Sequence, residues 1–229
     1  MSYREDQRRK ATAMRDALFR DPGDGLFSKK EREFVLQDAT LNLWAGIRDD
    51  AIEYFKENSI AWWMGDENTE PTGHLLSSQV ACLNYLYFVR QRKDAATAIL
   101  KNICGGIDQA VTVDNGFVEF EVIGSRNYLN ERSHTRGANA TSVDAVMIGE
   151  KKPGSKVLVL IEWKYTEESG KGAILIDDYI GILDKTGWQH THIIQAPMSV
   201  QRFSAVVVSA MQKKRILGVT SRYVIILKQ

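Results

Sequence analysis

The sequence predicts an α/β fold: a mixed sheet flanked by helices, with a helical extension at its N-terminal side. Three observations predict it. Apolar residues recur at helical intervals up to Ile103. From Gln109 the period shortens to the alternation of strands, and successive strand-like segments follow. After them come helical patterns and one last apolar strand, Arg222–Lys228.

The first helix is expected over Arg4–Phe19 and is broken by Asp21–Gly25 (DPGDG), a run of turn residues. Ser28 and Glu31 have the spacing of a capping box. They would open a helix whose stripe runs through Phe34, Leu41, Trp44, Ile47, Ile52 and Phe55 to about Glu57, bent or divided at Gly46. Met64–Gly73 reads as a polar loop. Ser77 or Ser78 caps the next helix, whose Val80, Leu83, Leu86, Tyr87 and Val89 call for burial. A further helix, Asp94–Ile103, stops at Gly105–Gly106.

Strands Gln109–Val113 and Phe117–Ile123 flank Asp114–Asn115–Gly116, a hairpin signal. The polar stretch 124–141 reads as loop. Ser142–Gly149 is a strand, Glu150–Ser155 a turn, and Lys156–Thr166 a longer strand. Ile174–Leu183 and Ser199–Ile216 are read as helices.

The chain has 229 residues, 44% hydrophobic and 26% charged, enough for a core without covalent staples. Cys82 and Cys104 have no CxxC spacing and read as plain thiols of a reducing compartment. The charged start MSYREDQRRK does not read as a secretory signal, and the longest apolar runs are too short to span a bilayer. A cytoplasmic protein without a membrane segment is expected. A net charge of +1 neither demands nor excludes a nucleic-acid partner.

The chemistry is concentrated on two strands. On Lys156–Thr166 side chains alternate, so Leu158, Leu160, Glu162 and Lys164 share one face and Val159, Ile161, Trp163 and Tyr165 the other. Glu162 and Lys164 project together, roughly 6–7 Å apart. Asp144 lies on the preceding strand. Burying two carboxylates and an ammonium costs several kcal/mol unless they pair or bind something. Two carboxylates near backbone carbonyls are what Mg²⁺ prefers.

This Asp…Glu-x-Lys pattern on adjacent strands resembles the PD-(D/E)xK nuclease superfamily, which includes restriction endonucleases. The resemblance implies a restriction-endonuclease-like core of αβββαβ order over residues 74–229, with residues 1–73 as a helical extension packed on it. It implies Mg²⁺, with Mn²⁺ as substitute, held by Asp144, Glu162 and the carbonyl of Trp163, and Lys164 serving the attacking water. DNA is then the substrate, and a homodimer would suit cleavage of both strands. Val143 stands where the motif's proline would be. Glu119, Glu121 and Glu131 are candidates for a further acid. Gln79, Arg126, Arg132, Arg136, Gln201 and Arg202 are candidates for substrate contact.

Other features have plainer readings. His190 and His192 lack a third zinc ligand, Trp62–Trp63 and the Trp44 stripe read as packing, and Lys213–Lys214–Arg215 complements a helix end. Two rival functions remain: a non-catalytic nucleic-acid-binding or assembly domain that retains the nuclease fold, and a partner-binding protein acting through its N-terminal helices. A close approach of Asp144 to Glu162 separates the enzyme from both.

Overall fold

A computed structural model describes residues 3–63, 69–123, 135–137, 142–152, 155–164, 191–197, 204–210 and 219–228. The chain forms two compact units. The first comprises Met1–Phe88 with Glu121–Ser142, the second Val89–Phe120 with Val143–Gln229.

In the first unit, helix α1 (Tyr3–Phe19) leads into a small hairpin of β1 (Gly25–Phe27) and β2 (Lys30–Arg32). The expected capping box is not formed. Ser28 and Lys29 both have positive φ, 52° and 65°, the two-residue turn that matches strand twist. The long helix from Ser28 is likewise replaced: a 3₁₀ turn spans Ala39–Asn42, and helix α2 begins only at Arg48, just past Gly46. Trp44 therefore lies outside any helix and is exposed. Asp21 organises the entry. Its Oδ1 accepts the N–H of Gly23 (2.7 Å) and Gln37 (3.0 Å), and its Oδ2 that of Asp38 (2.9 Å). Gly25 and Gly73 both press against Leu36; a Cβ at either would stand 2.2 or 2.6 Å from its carbonyl oxygen. Helix α2 (Arg48–Glu57) buries Ala51, Tyr54 and Phe55, with Trp62 stacked on Phe55 at 3.9 Å. Helix α3 (Ser78–Leu86) starts as expected: Ser77 is its N-cap, its Oγ accepting the Val80 N–H at 3.3 Å.

The second unit carries helix α4 (Lys93–Ile103) and a seven-stranded sheet. The strands of the sheet are β3 (Gln109–Val111), β4 (Glu119–Val122, divided between the units after Phe120), β5 (Val143–Lys152), β6 (Ser155–Lys164), β7 (Thr191–Pro197), β8 (Ser204–Ala210) and β9 (Val219–Lys228). The order is β3-β5-β6-β9-β8-β7, with β4 also on β5. Only β6 and β9 are shown parallel; β3–β5, β5–β6, β8–β9 and β7–β8 are antiparallel. The fold is the mixed α/β class that the sequence predicts.

Two expectations fail here. Asp114 and Asn115 do form a tight turn, with φ of 46° and 56°, closed by a Val113–Gly116 bridge. Beyond it β3 and β4 pair with β5 rather than extending a hairpin. Ser204–Ala210, expected within a helix, is β8, laddered to β7 and β9 on its two sides. Its three consecutive valines, Val206–Val208, are stiff at χ1 and suit a pleated surface better than a helix. The helix expected over Ile174–Leu183 lies outside the described residues.

Cys82 and Cys104 are buried thiols outside any disulfide, and burial pushes the Cys104 thiol up to about 11. Among the described residues no helix is long and apolar enough to cross a membrane.

Candidate active site

Strand β6 has two unlike faces. Val157, Val159, Ile161 and Trp163 are at most 3% exposed, whereas Leu158, Leu160 and Glu162 are half-buried. The alternation thus holds, and Glu162 stands on the more open face. Its neighbour is β5, whose antiparallel register pairs Ala145 with Ile161. One residue further along both strands stand Asp144 and Glu162, on the same face of the sheet. Cross-strand neighbours at such a position have Cβ atoms about 4.5–5.5 Å apart.

Asp144 is fixed by the backbone of the neighbouring strand β6, its Oδ2 accepting the Trp163 N–H at 2.5 Å. A strand residue that turns its N–H toward a neighbour turns its C=O the same way. Trp163 therefore presents its carbonyl on the β5 side, along with the Asp144 carboxylate. Its indole is buried on the opposite face of the sheet. At the far edge of β6, Trp163 is in register with Leu227 and Lys164 with Lys228 of β9. The Lys164 side chain lies outside what is described.

A second polar cluster belongs to the first unit. The Glu121 side chain is 5% exposed, and its backbone has a φ of +50°. Gln79 Nε2 donates to its Oε1 (3.0 Å) and Ser142 Oγ to its Oε2 (2.6 Å), while Arg136 Nε donates to its carbonyl (3.1 Å). Gln79 also ties down the preceding segment, accepting the Trp63 N–H (3.0 Å) and donating to the Ala61 carbonyl (3.3 Å). The Ala61 N–H in turn reaches the Arg136 carbonyl at 2.9 Å. Such a cluster is worth its desolvation only when every member is satisfied.

The sequence candidates thus fall into three sets. Asp144, Glu162 and the Trp163 backbone come together on β5 and β6. Gln79, Glu121 and Arg136 come together in the other unit. Glu119 is half-buried on β4, but it does not share a face with Glu121 as alternation expects. Phe120 and Glu121 are both buried, because the positive φ breaks the strand's period. Arg126, Glu131, Arg132, Gln201 and Arg202 lie outside the described residues, as do His190 and Lys213–Arg215. Sequence reasoning passed over Ser142, which has neither charge nor periodicity to mark it; its place two residues before Asp144 was the one available signal. Among the described residues no three His, Cys, Asp or Glu side chains converge as a metal-holding group.

Against known families, the model for REase-ARP, restriction endonuclease associating with ARP, matches residues 8–193. The chain belongs to this family. The REase-ARP match takes in α2, α3, α4, both site strands β5 and β6, and the whole Glu121 cluster. No curated protein matches the chain, and no solved structure does.

Proposed function

We propose that this member of the REase-ARP family is a metal-dependent nuclease that hydrolyses phosphodiester bonds of DNA. The observation that carries the reading is the β5–β6 register, which sets Asp144 opposite Glu162 at the ends of two paired strands. Two like charges so placed oppose each other and weaken the sheet unless a cation lies between them.

The donor set fits a hard divalent cation such as Mg²⁺ or Mn²⁺: two carboxylates and the Trp163 carbonyl, all oxygen. When bound, such an ion polarises a phosphoryl oxygen and favours a hydroxide nucleophile. The protein's part is positional. Asp144 is held by the Trp163 N–H, so its carboxylate is oriented before substrate arrives. Lys164, two residues beyond Glu162 on β6, is proposed to orient the attacking water and to stabilise charge on the phosphate. We also extend the family's description to this chain and propose that it works in association with an ARP partner.

The test is digestion of plasmid and single-stranded DNA with Mg²⁺ or Mn²⁺. Asp144→Asn, Glu162→Gln and Lys164→Ala are each expected to lower the rate by about three orders of magnitude, the scale on which one preorganised electrostatic group acts. Wild-type rates from all three variants would instead assign the fold to binding or assembly.

A further inference from the structure

Helix α1 carries Arg4, Arg8 and Thr12 at successive i, i+4 positions, so the three form one ridge. That ridge lies on aromatic residues of its own unit. The Arg8 guanidinium sits over the Phe34 ring, 4.3 Å from its centroid. Phe34 meets His74 edge-on at 5.1 Å, and Phe27 packs on the same imidazole at 4.8 Å. His74 is only 3% exposed. Its Nδ1 accepts the Leu76 N–H at 3.1 Å, which leaves the ring proton on Nε2.

The surrounding charges are unbalanced. Of the two acids on the first turn of α1, Glu5 and Asp6, Asp6 is taken by Arg9 (3.0 Å) and Lys10 (2.7 Å). Arg15, further along, is satisfied by the Glu33 carbonyl (2.7 Å) and Asp16 (2.9 Å). Among the described residues no carboxylate pairs with Arg4 or Arg8. Arg8 Nε and Thr12 Oγ1 are shut away from solvent with no hydrogen-bond partner. Arg8 Nε, on its apolar floor, and the Thr12 hydroxyl one turn on are thus buried without an acceptor, which is costly unless an anion supplies one, and the exposed Arg4 stands one turn before Arg8.

We infer that Arg4, Arg8 and the Nε2–H of His74 form a binding site for a phosphate monoester. A dianion matches the two guanidinium charges, and the planar fork of arginine suits phosphate oxygens. Burial together with the charges of Arg4 and Arg8 holds His74 down to about 4, so the ring is a neutral donor at physiological pH. Trp63, 45% exposed and 6.5 Å from His74, offers an aromatic face beside the site. The phosphate can therefore come from a nucleotide, with its base on Trp63, or from free phosphate. The site is independent of the proposed cleavage chemistry.

The experiment is titration calorimetry of the full chain in metal-free buffer. The probes are inorganic phosphate and a short oligonucleotide with either a 5′-phosphate or a 5′-hydroxyl. The phosphorylated strand should bind about tenfold or more tightly than its hydroxyl counterpart. Arg8→Gln should remove that difference, and Arg9→Gln, whose side chain is engaged by Asp6, should keep it. A nucleotide source predicts that Trp63→Ala weakens the phosphorylated strand alone; a free-phosphate source predicts equal affinity for inorganic phosphate and no effect of Trp63→Ala. As a check independent of variants, phosphate should shift the His74 imidazole nitrogen resonances of the wild-type protein. Equal affinity for the two strands together with an unmoved His74, or equal losses in Arg8→Gln and Arg9→Gln, would overturn the assignment.

Discussion

Asp21 and Asp144 each accept backbone N–H groups, yet they stand in opposite circumstances. Asp21, in the first unit, is 5% exposed and takes three amides, from Gly23, Gln37 and Asp38. Burial pushes its carboxyl up, but those three donors outweigh it and the net shift is downward. Asp144, in the second unit, is half-buried, takes the amide of Trp163, and stands opposite another carboxylate across the β5–β6 ladder. The first arrangement uses up the charge in holding the chain together. The second aligns a charge and sets another beside it, which a sheet built for stability alone would avoid.

The sharpest way to test that difference is to neutralise Asp144 and Glu162 and follow activity and stability together. The Asp144→Asn and Glu162→Gln chains should lose about three orders of magnitude in cleavage rate. Their unfolding free energy in metal-free urea titrations should stay level or rise by a few tenths of a kcal/mol, because opposed like charges are relieved. Asp21→Ala should do the reverse. It strips three amides, one buried and two part-buried, of their acceptor, and about 3 kcal/mol of stability should go with it. Specific activity per folded molecule should be unchanged. A stable Asp21→Ala chain, or an Asp144→Asn chain that unfolds early, would erase the contrast.

The two regions were not equally legible in the sequence. Strands β5 and β6 announce themselves by a long apolar run ending in Glu-Trp-Lys, and period-two alternation correctly separates the Glu162 face from the buried Trp163 face. What alternation cannot supply is the register; that Asp144 falls opposite Glu162 is a long-range pairing. In the first unit, apolar residues from Phe34 to Phe55 mimic a helical stripe, although Ser28–Lys29 turn a hairpin and Asp21 gathers amides from 16 and 17 residues away. Tertiary hydrogen bonds override a local pattern there. β8 misled for a related reason: its helical spacing was read over a valine run whose β propensity is realised between β7 and β9.

Acid should expose the first unit before the second. His74 is buried, and its pKa falls from 6.5 unfolded to about 4 folded. Between those values the unfolded chain binds the extra proton. The stability that the neutral ring contributes is therefore complete above about pH 6.5 and is lost as pH falls toward 4, on the order of 3 kcal/mol in all. Asp21 acts lower, since a depressed carboxyl loses its contribution only as pH falls below its unfolded value of 3.8. Melting temperatures between pH 7.5 and 4.5 should fall in the wild-type protein. They should stay nearly flat in His74→Asn, which keeps an acceptor for the Leu76 N–H. Parallel slopes would remove His74 as the cause.

The smallest effect concerns Glu121, which is buried like Asp21 but whose carboxylate accepts from side chains, Gln79 and Ser142. Ser142→Ala deletes the donor to Oε2 and leaves Gln79 on Oε1. Losing one charge-assisted bond to a buried carboxylate should cost about 1–2 kcal/mol, visible as a lower urea midpoint with an unchanged slope. Glu121→Gln separates charge from shape at the same place. If the carboxylate serves only as an acceptor for Gln79 and Ser142, the amide can still accept from one of them, and Ser142→Ala in that background should cost less than it does alone. Additive losses would mean that Ser142 acts on something other than Glu121. A double-mutant cycle on urea midpoints reads that coupling directly.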